Sequence, residues 1–157
     1  MDTQTQQQLR EWRSECLKRV RAQLRYRDVI YPSWDEKNNR YFFKLKNGEL
    51  VRLPDKEAGN YVFYSRRTGT PVYVGETDNL KRRLENHCRV SGTSVFKRRW
   101  VRHWIGSQTS EPDVVRFIHS HMFLKYLIVP FGRCEIEADL CAVWKLSDPQ
   151  SVDLQVF

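Results

Sequence analysis

Apolar residues recur along the chain at two spacings, and the change from one to the other divides it. Between Thr5 and about Arg27, Leu9, Trp12, Cys16, Val20 and Leu24 return every three or four residues, with Leu17 beside them. That spacing predicts an amphipathic helix. Thr5 and Gln8 fit a capping box at its start. Arg10, Arg21 and Arg25 fall away from the apolar stripe. Such a helix either packs on the body of the domain or serves as an arm toward a partner or a second copy, and amphipathicity alone does not choose.

A period nearer two follows. Pro32 excludes a helix around Tyr31. Tyr41–Leu45 and Leu50–Leu53 read as extended runs on either side of Asn47-Gly48. The Asn-Gly pair is a strong signal for a two-residue hairpin turn. In that register Leu45 opposes Leu50 and Phe42 opposes Leu53, with Lys46 and Glu49 paired by charge beside the turn.

From Gly59 the pattern mixes both periods. Tyr61–Ser65 and Pro71–Gly75 predict short strands around the turn Arg66–Thr70, proline being tolerated at a strand's first position. Asp78 can cap a helix running to about His87. Val95–Ile105 reads as a second helix. Glu111-Pro112 reads as a break, and Phe117 and Met122–Val129 as extended apolar stretches. Glu135–Leu146 reads as a last helix, ending near Pro149. The predicted class is α+β: a small antiparallel or mixed three-stranded sheet flanked by helices, extended by an N-terminal helix and hairpin. The expected division is an extension over 1–58, a main domain over 59–149 and a tail over 150–157.

Length and charge narrow the classes of partner. A chain of 157 residues builds one domain with a real core. A net charge of +8 suggests a polyanion, with nucleic acid ahead of an acidic membrane surface. No run is apolar enough to span a bilayer, and the first residues carry no signal-peptide core, so an intracellular setting is expected. Cys16, Cys88, Cys134 and Cys141 form no CxxC pair and no zinc spacing, so buried reduced thiols are expected.

Three groups of side chains carry candidate chemistry. Leu80, Arg83, Leu84 and His87 share one helical face, which holds Arg83 and His87 at its edge one turn apart. Arg83 is then either solvated along its stem or functional. Glu137 shares a face with Leu140, Cys141 and Trp144, whereas Glu135 and Asp139 lie elsewhere. A carboxylate on an apolar face needs a partner, either an arginine at the core's edge or a metal ion. In the helix around Trp100, Phe96, Trp100 and Trp104 should pack inward while Lys97, Arg98 and Arg102 face out, either as a phosphate-binding surface or as an ordinary solvated face.

These residues resemble a known family. Gly59-Asn60-Tyr61, then Val72-Tyr73-Val74-Gly75, then Arg83 and Glu137 are similar in order and spacing to the GIY-YIG nuclease domain. His87 resembles a histidine of a subset of members, and Arg133–Ala138 looks like the segment with the metal-binding glutamate. The likeness covers roughly Gly59 to Pro149. The first motif reads Gly-Asn-Tyr, Glu76 stands where some members carry lysine, and no asparagine follows Pro149.

The resemblance implies phosphodiester hydrolysis in DNA with one divalent metal, Mg2+ or Mn2+, bound by Glu137. Tyr61 would be the general base, helped by His87 or the metal-bound water network, Tyr73 would orient the water, and Arg83 would clamp the phosphate. Nearby cations are expected to favour phenolate. Gly75, Arg82, Lys97, Arg98 and Arg102 would meet the nucleic acid. A stand-alone restriction-like or homing-like nuclease fits first, with a homodimer as a candidate assembly because two strands must be cut. The alternatives are a repair or structure-selective nuclease and an inactive nucleic-acid-binding module of the same fold.

Overall fold

A computed structural model describes residues 2–157. Within them lie two three-stranded sheets and five α-helices. One sheet carries the candidate chemistry. Its middle strand is β4 (Gly59–Ser65), flanked by β5 (Pro71–Thr77) and β6 (Met122–Ile128), all antiparallel. With a neighbour on each edge and helices over its faces, β4 is buried at all seven positions. That explains its unbroken aromatic and β-branched run, since a strand covered on both faces has no polar side to alternate with.

Helix α2 (Leu80–Cys88) follows β5. Its cap is Asn79 rather than Asp78: the Asn79 side chain accepts the Arg82 N–H at 3.1 Å. Asp78 pairs instead with the Arg82 guanidinium. Phe96–Val101 then forms a π-helical turn that runs directly into α3 (Arg102–Ile105). The break expected at Glu111-Pro112 is instead the start of α4 (Glu111–His121). Ser110 caps it by accepting the Asp113 N–H, and Pro112 sits in the first turn, where a missing N–H costs nothing. Phe117 is therefore helical. β6 forms as expected, and α5 (Arg133–Trp144) closes the order after Gly132, whose φ of +75° suits a residue without a Cβ.

The N-terminal region differs from expectation in three ways. Helix α1 spans Thr3–Arg25 and is capped by Asp2, which accepts the Thr5 N–H at 2.7 Å, so the Thr5–Gln8 box does not form. Only its second half packs: Leu17, Val20 and Leu24 join the core and Arg21 pairs with Asp139 of α5, while Leu9 and Trp12 stay 49% and 69% exposed. A strand absent from the sequence reading, β1 (Tyr31–Asp35), pairs with β2 (Arg40–Lys44), which pairs with β3 (Leu50–Val51).

The third difference is the hairpin register. Lys44 opposes Leu50 and Phe43 opposes Val51. The loop holds three residues, closed by Leu45 N–H to Glu49 O at 2.8 Å, with Gly48 at φ +87°. A slip of one residue exchanges the two faces of a strand. Phe43 is thus buried and Leu50 exposed. Ile30 joins this sheet to β6 through two 2.9 Å backbone hydrogen bonds with Leu124.

The four cysteines are free thiols. Among the described residues, no helix is long and apolar enough to cross a membrane.

Candidate active site

Alternation along β4 sends Tyr61 and Phe63 to the face that α2 and the π turn cover. Across the ladder, Tyr61 opposes Gly75 and Phe63 opposes Tyr73. Gly75 is needed for contact rather than for backbone freedom, because a Cβ there would overlap Cζ and Oη of Tyr61. The glycine expected to meet nucleic acid therefore forms the floor under a phenol. Tyr73 stacks on Phe96 with ring centroids 4.4 Å apart, and Phe63 lies against the same ring at 4.6 Å.

The Tyr61 hydroxyl is 2.7 Å from Nε2 of His87. His87 was expected at the edge of its helical face. It is instead 1% exposed, beneath the two tyrosines. Its other nitrogen, Nδ1, is 2.6 Å from Oγ of Ser94, which also accepts the Lys97 N–H at 3.1 Å. Burial, with help from Arg83 and Lys97, lowers the imidazole pKa to about 3, so the ring is neutral at physiological pH.

Burial also decides the state of the phenols. It is the largest influence raising Tyr61 well above the usual tyrosine range and Tyr73 to about 12, and Glu137 raises both further. Arg83 acts in the opposite direction on both but is weaker than burial. The expected phenolate is therefore not the resting state, since desolvation outweighs the nearby cation. The two phenol rings lie tilted to one another with centroids 6.3 Å apart.

Arg83 and Glu137 reach this centre from α2 and α5. Glu137 is half-buried, and its carboxyl is raised first by burial and then by Glu76. Among the described residues, neither the Glu137 carboxylate nor the Arg83 guanidinium has an ion pair. Of the two partners the sequence left open for Glu137, an arginine at the core's edge is thus absent. Two contacts fix the start of α5 against the sheet. Arg133 Nε donates to Glu76 at 3.0 Å, and Asn60 Nδ2 donates to the Arg133 carbonyl at 2.9 Å.

The donors suit a metal held sparsely by protein. Among the described residues, no group of three or more His, Cys, Asp or Glu side chains is arranged to hold a metal ion. Glu137 offers hard carboxylate oxygens, and burial and then Glu76 raise its pKa. Asn60 Oδ1 is a buried acceptor with no partner among the described residues, but alternation turns it to the opposite face of β4 from Tyr61. The single free carboxylate fits one divalent cation whose remaining ligands would be water and substrate oxygens.

The expected phosphate-binding face is largely not formed. The Lys97 side chain is 2% exposed, with Nζ 2.6 Å from Glu111 and 2.7 Å from the Arg89 carbonyl. Arg102 pairs with the other oxygen of Glu111 and donates to the Thr109 carbonyl. The π turn explains the error. Its bonds run from residue i to i+5, as in Arg102 N–H to Lys97 O, so a helical wheel of 3.6 residues misplaces Lys97. Arg98 is exposed, as is Arg82, which pairs with Asp78.

Ser94 and Asn60 escaped the sequence reading. Asn60 did leave a signal, as the one amide within an otherwise apolar and aromatic strand. Ser94 left none, because a single serine in a polar loop looks like any other.

Residues 57–121 match the family model described as the GIY-YIG catalytic domain. The match includes Tyr61, Tyr73, Arg83 and His87 and ends before Glu137. No curated protein and no solved structure matches the chain.

Proposed function

We propose, from the match of residues 57–121 to the GIY-YIG catalytic domain, that the chain is a metal-dependent endonuclease of that superfamily, hydrolysing phosphodiester bonds of duplex DNA. The observation that carries the reading is the meeting of two unpaired charges, Arg83 and Glu137, beside two buried phenols on adjacent strands. A phosphodiester offers an anion for the first and metal-bound oxygens for the second. The catalytic unit in this reading is 59–149, with 1–58 and 150–157 as additions to it.

In the proposed reaction, Glu137 would hold Mg2+ or Mn2+, which would supply charge to neutralise that developing on the phosphate and leaving oxygen. Arg83 offers a planar fork matched to two phosphate oxygens. Tyr61 first loses its hydroxyl hydrogen to solvent and, as phenolate, takes a proton from the attacking water, which Tyr73 orients. A buried phenol is reluctant to ionise, and a cation held at Glu137 would offset part of that reluctance. Arg82 and Arg98 remain as exposed contacts to the phosphate backbone. Leu9 and Trp12 offer an apolar surface for a second copy, which would bring a second active site to the other strand.

Incubation with plasmid DNA in magnesium, in manganese and in chelator tests this, with Glu137→Gln alongside. Wild-type cleavage should need the metal, and Glu137→Gln should bind DNA without cutting it. Arg98→Glu should weaken binding and flatten its salt dependence. Cleavage by Glu137→Gln at the wild-type rate would place the metal elsewhere. DNA binding by the wild type with no cleavage of plasmid or branched substrates would favour the inactive binding module.

A further inference from the structure

A groove of about 790 Å³ opens away from the tyrosines, where β1 and the β2–β3 loop meet α4 and the turn after β4. Tyr31, Trp34, Lys44, Lys46, Arg66 and Arg116 are among its lining residues. Arg66 lies five residues beyond Tyr61 along β4 and its turn, roughly 17 Å at ~3.4 Å per residue. A phosphate beside Tyr61 would therefore not reach it.

The cations of this groove are not equivalent. Glu36, a carboxylate of the same lining, accepts from Arg116 at both oxygens, at 2.7 and 3.1 Å. Arg116 is thus already neutralised. Among the described residues, Lys44, Lys46 and Arg66 have no carboxylate partner. Three unpaired cations around one concavity focus a positive potential into it.

Arg66 is also held in a fixed plane. Its Nε donates to the Met122 carbonyl at 2.9 Å, and its Cζ lies 4.6 Å from the centre of the Tyr31 ring. Both contacts leave the two terminal amino groups of the guanidinium free to donate. A fork held this way matches two oxygens of one phosphate. Lys44 and Lys46 come from the hairpin and Arg66 from the β4–β5 turn, so the charge is spread over two walls and suits a chain of phosphates better than a single one. The rings do not suit a lipid. Tyr31 lies under Arg66 and Trp34 under Arg116, so guanidinium groups cover faces that acyl chains would need. A bilayer surface is also flat, whereas this site is concave.

We propose that this groove is a second nucleic-acid site, in which the phosphate backbone of a strand lies between Arg66 on one wall and Lys44 and Lys46 on the other, apart from the bond being cut. Contacts of this kind hold a strand without reading its sequence. The choice of DNA as the polyanion rests on the proposed hydrolysis; the groove and its unpaired cations do not.

The test is lysine footprinting of the full chain in chelator. An acetylating reagent is applied with and without a long mixed-sequence duplex, and mass spectrometry reads each lysine. DNA should protect Lys44 and Lys46 several-fold, whereas inorganic phosphate at the same concentration of phosphate groups, and phosphatidylserine vesicles, should not. In binding titrations across salt, Arg66→Gln with Lys46→Gln should weaken DNA binding roughly tenfold and reduce the salt slope by about 2, more than the same loss of charge through Lys18→Gln with Lys145→Gln. If the Arg66 variant fails to fold, Lys44→Gln with Lys46→Gln carries the same titration. Equal acetylation with and without DNA overturns the proposal, and so does a wild-type salt slope in the groove variants. Protection by phosphate alone would make the groove a small-anion site, and protection by vesicles a membrane contact; either result overturns it. Protected lysines without cleavage of any DNA in metal would sink the hydrolysis and leave the groove standing, and cleavage with unprotected lysines would do the reverse.

Discussion

Two sites in this protein bring cations and a glutamate together, and they are built oppositely. At Glu111, one carboxylate oxygen takes Lys97 and the other takes Arg102, and the Lys97 ammonium also donates to a backbone carbonyl. Both carboxylate oxygens are already taken there. Around Tyr61 and Tyr73, Arg83 and Glu137 both stand without an ion pair among the described residues. The first cluster holds the π turn to the start of α4. The second keeps its charges uncompensated at a cost in stability, and in the proposed reaction a substrate and an ion would complete it. Basic residues in a sequence thus say little about nucleic acid until it is known which of them have already been neutralised.

The contrast can be broken most sharply at Arg83. Arg83→Ala should lower kcat/KM for DNA cleavage by roughly 100- to 1000-fold, and Arg83→Lys should recover little because the planar fork is lost. Its melting temperature should stay at the wild-type value, since no internal partner is removed. A large drop in Tm would show that Arg83 is structural after all. At the other cluster the expectation reverses. Glu111→Ala strands a buried ammonium, and urea unfolding should show a loss of about 3 kcal/mol, the lower end for a broken buried pair because Glu111 keeps 30% exposure.

Acid should act next. His87 and His119 are held down to about 3 and about 4, each mainly by burial. Below about pH 6.5 the unfolded chain takes up protons at these rings while the folded chain does not. Stability should therefore fall as pH drops from about 6.5 toward 4, and substituting His119 with Gln should flatten that slope in thermal melts across pH. The smallest effect is expected at Glu137. Its carboxyl pKa is raised, so its ionised form at neutral pH works against folding. Glu137→Gln should therefore raise Tm by about 1–3 °C in metal-free buffer even as cleavage is lost. A fall in Tm would mean that the carboxylate has a structural partner.

Much of the frame was legible in the sequence because short-range rules govern it. The paired strands around Arg66–Thr70, the helix bearing Arg83 and the one bearing Glu137 all follow from periodicity. Where sequence reading failed, a longer-range or rarer geometry had taken over. The hairpin slipped by one residue because a three-residue loop with Gly48 in the left-handed region competes with the two-residue turn that Asn-Gly usually marks. Lys97 turned inward because a π turn breaks the 3.6-residue wheel. Helix α4 was missed because Pro112 reads as a breaker unless Ser110 is recognised as the cap before it. At the site, Tyr61, Tyr73, Arg83, His87 and Glu137 were visible as motif residues. The state of the phenols was not, because desolvation depends on what covers a ring, and sequence does not state that.

The overlap that a Cβ on Gly75 would make with the Tyr61 hydroxyl also constrains how this protein can change over generations. The two positions are 14 residues apart yet behave as one heritable character. A lineage that gains any side chain at Gly75 must expel or shrink the ring at Tyr61, so loss of the glycine and loss of the phenol arrive in the same step. The reverse order is open, because a smaller residue at Tyr61 leaves room for a later change at Gly75. Drift at this pair therefore runs as a one-way ratchet, and the glycine should be the last trace of the site to disappear.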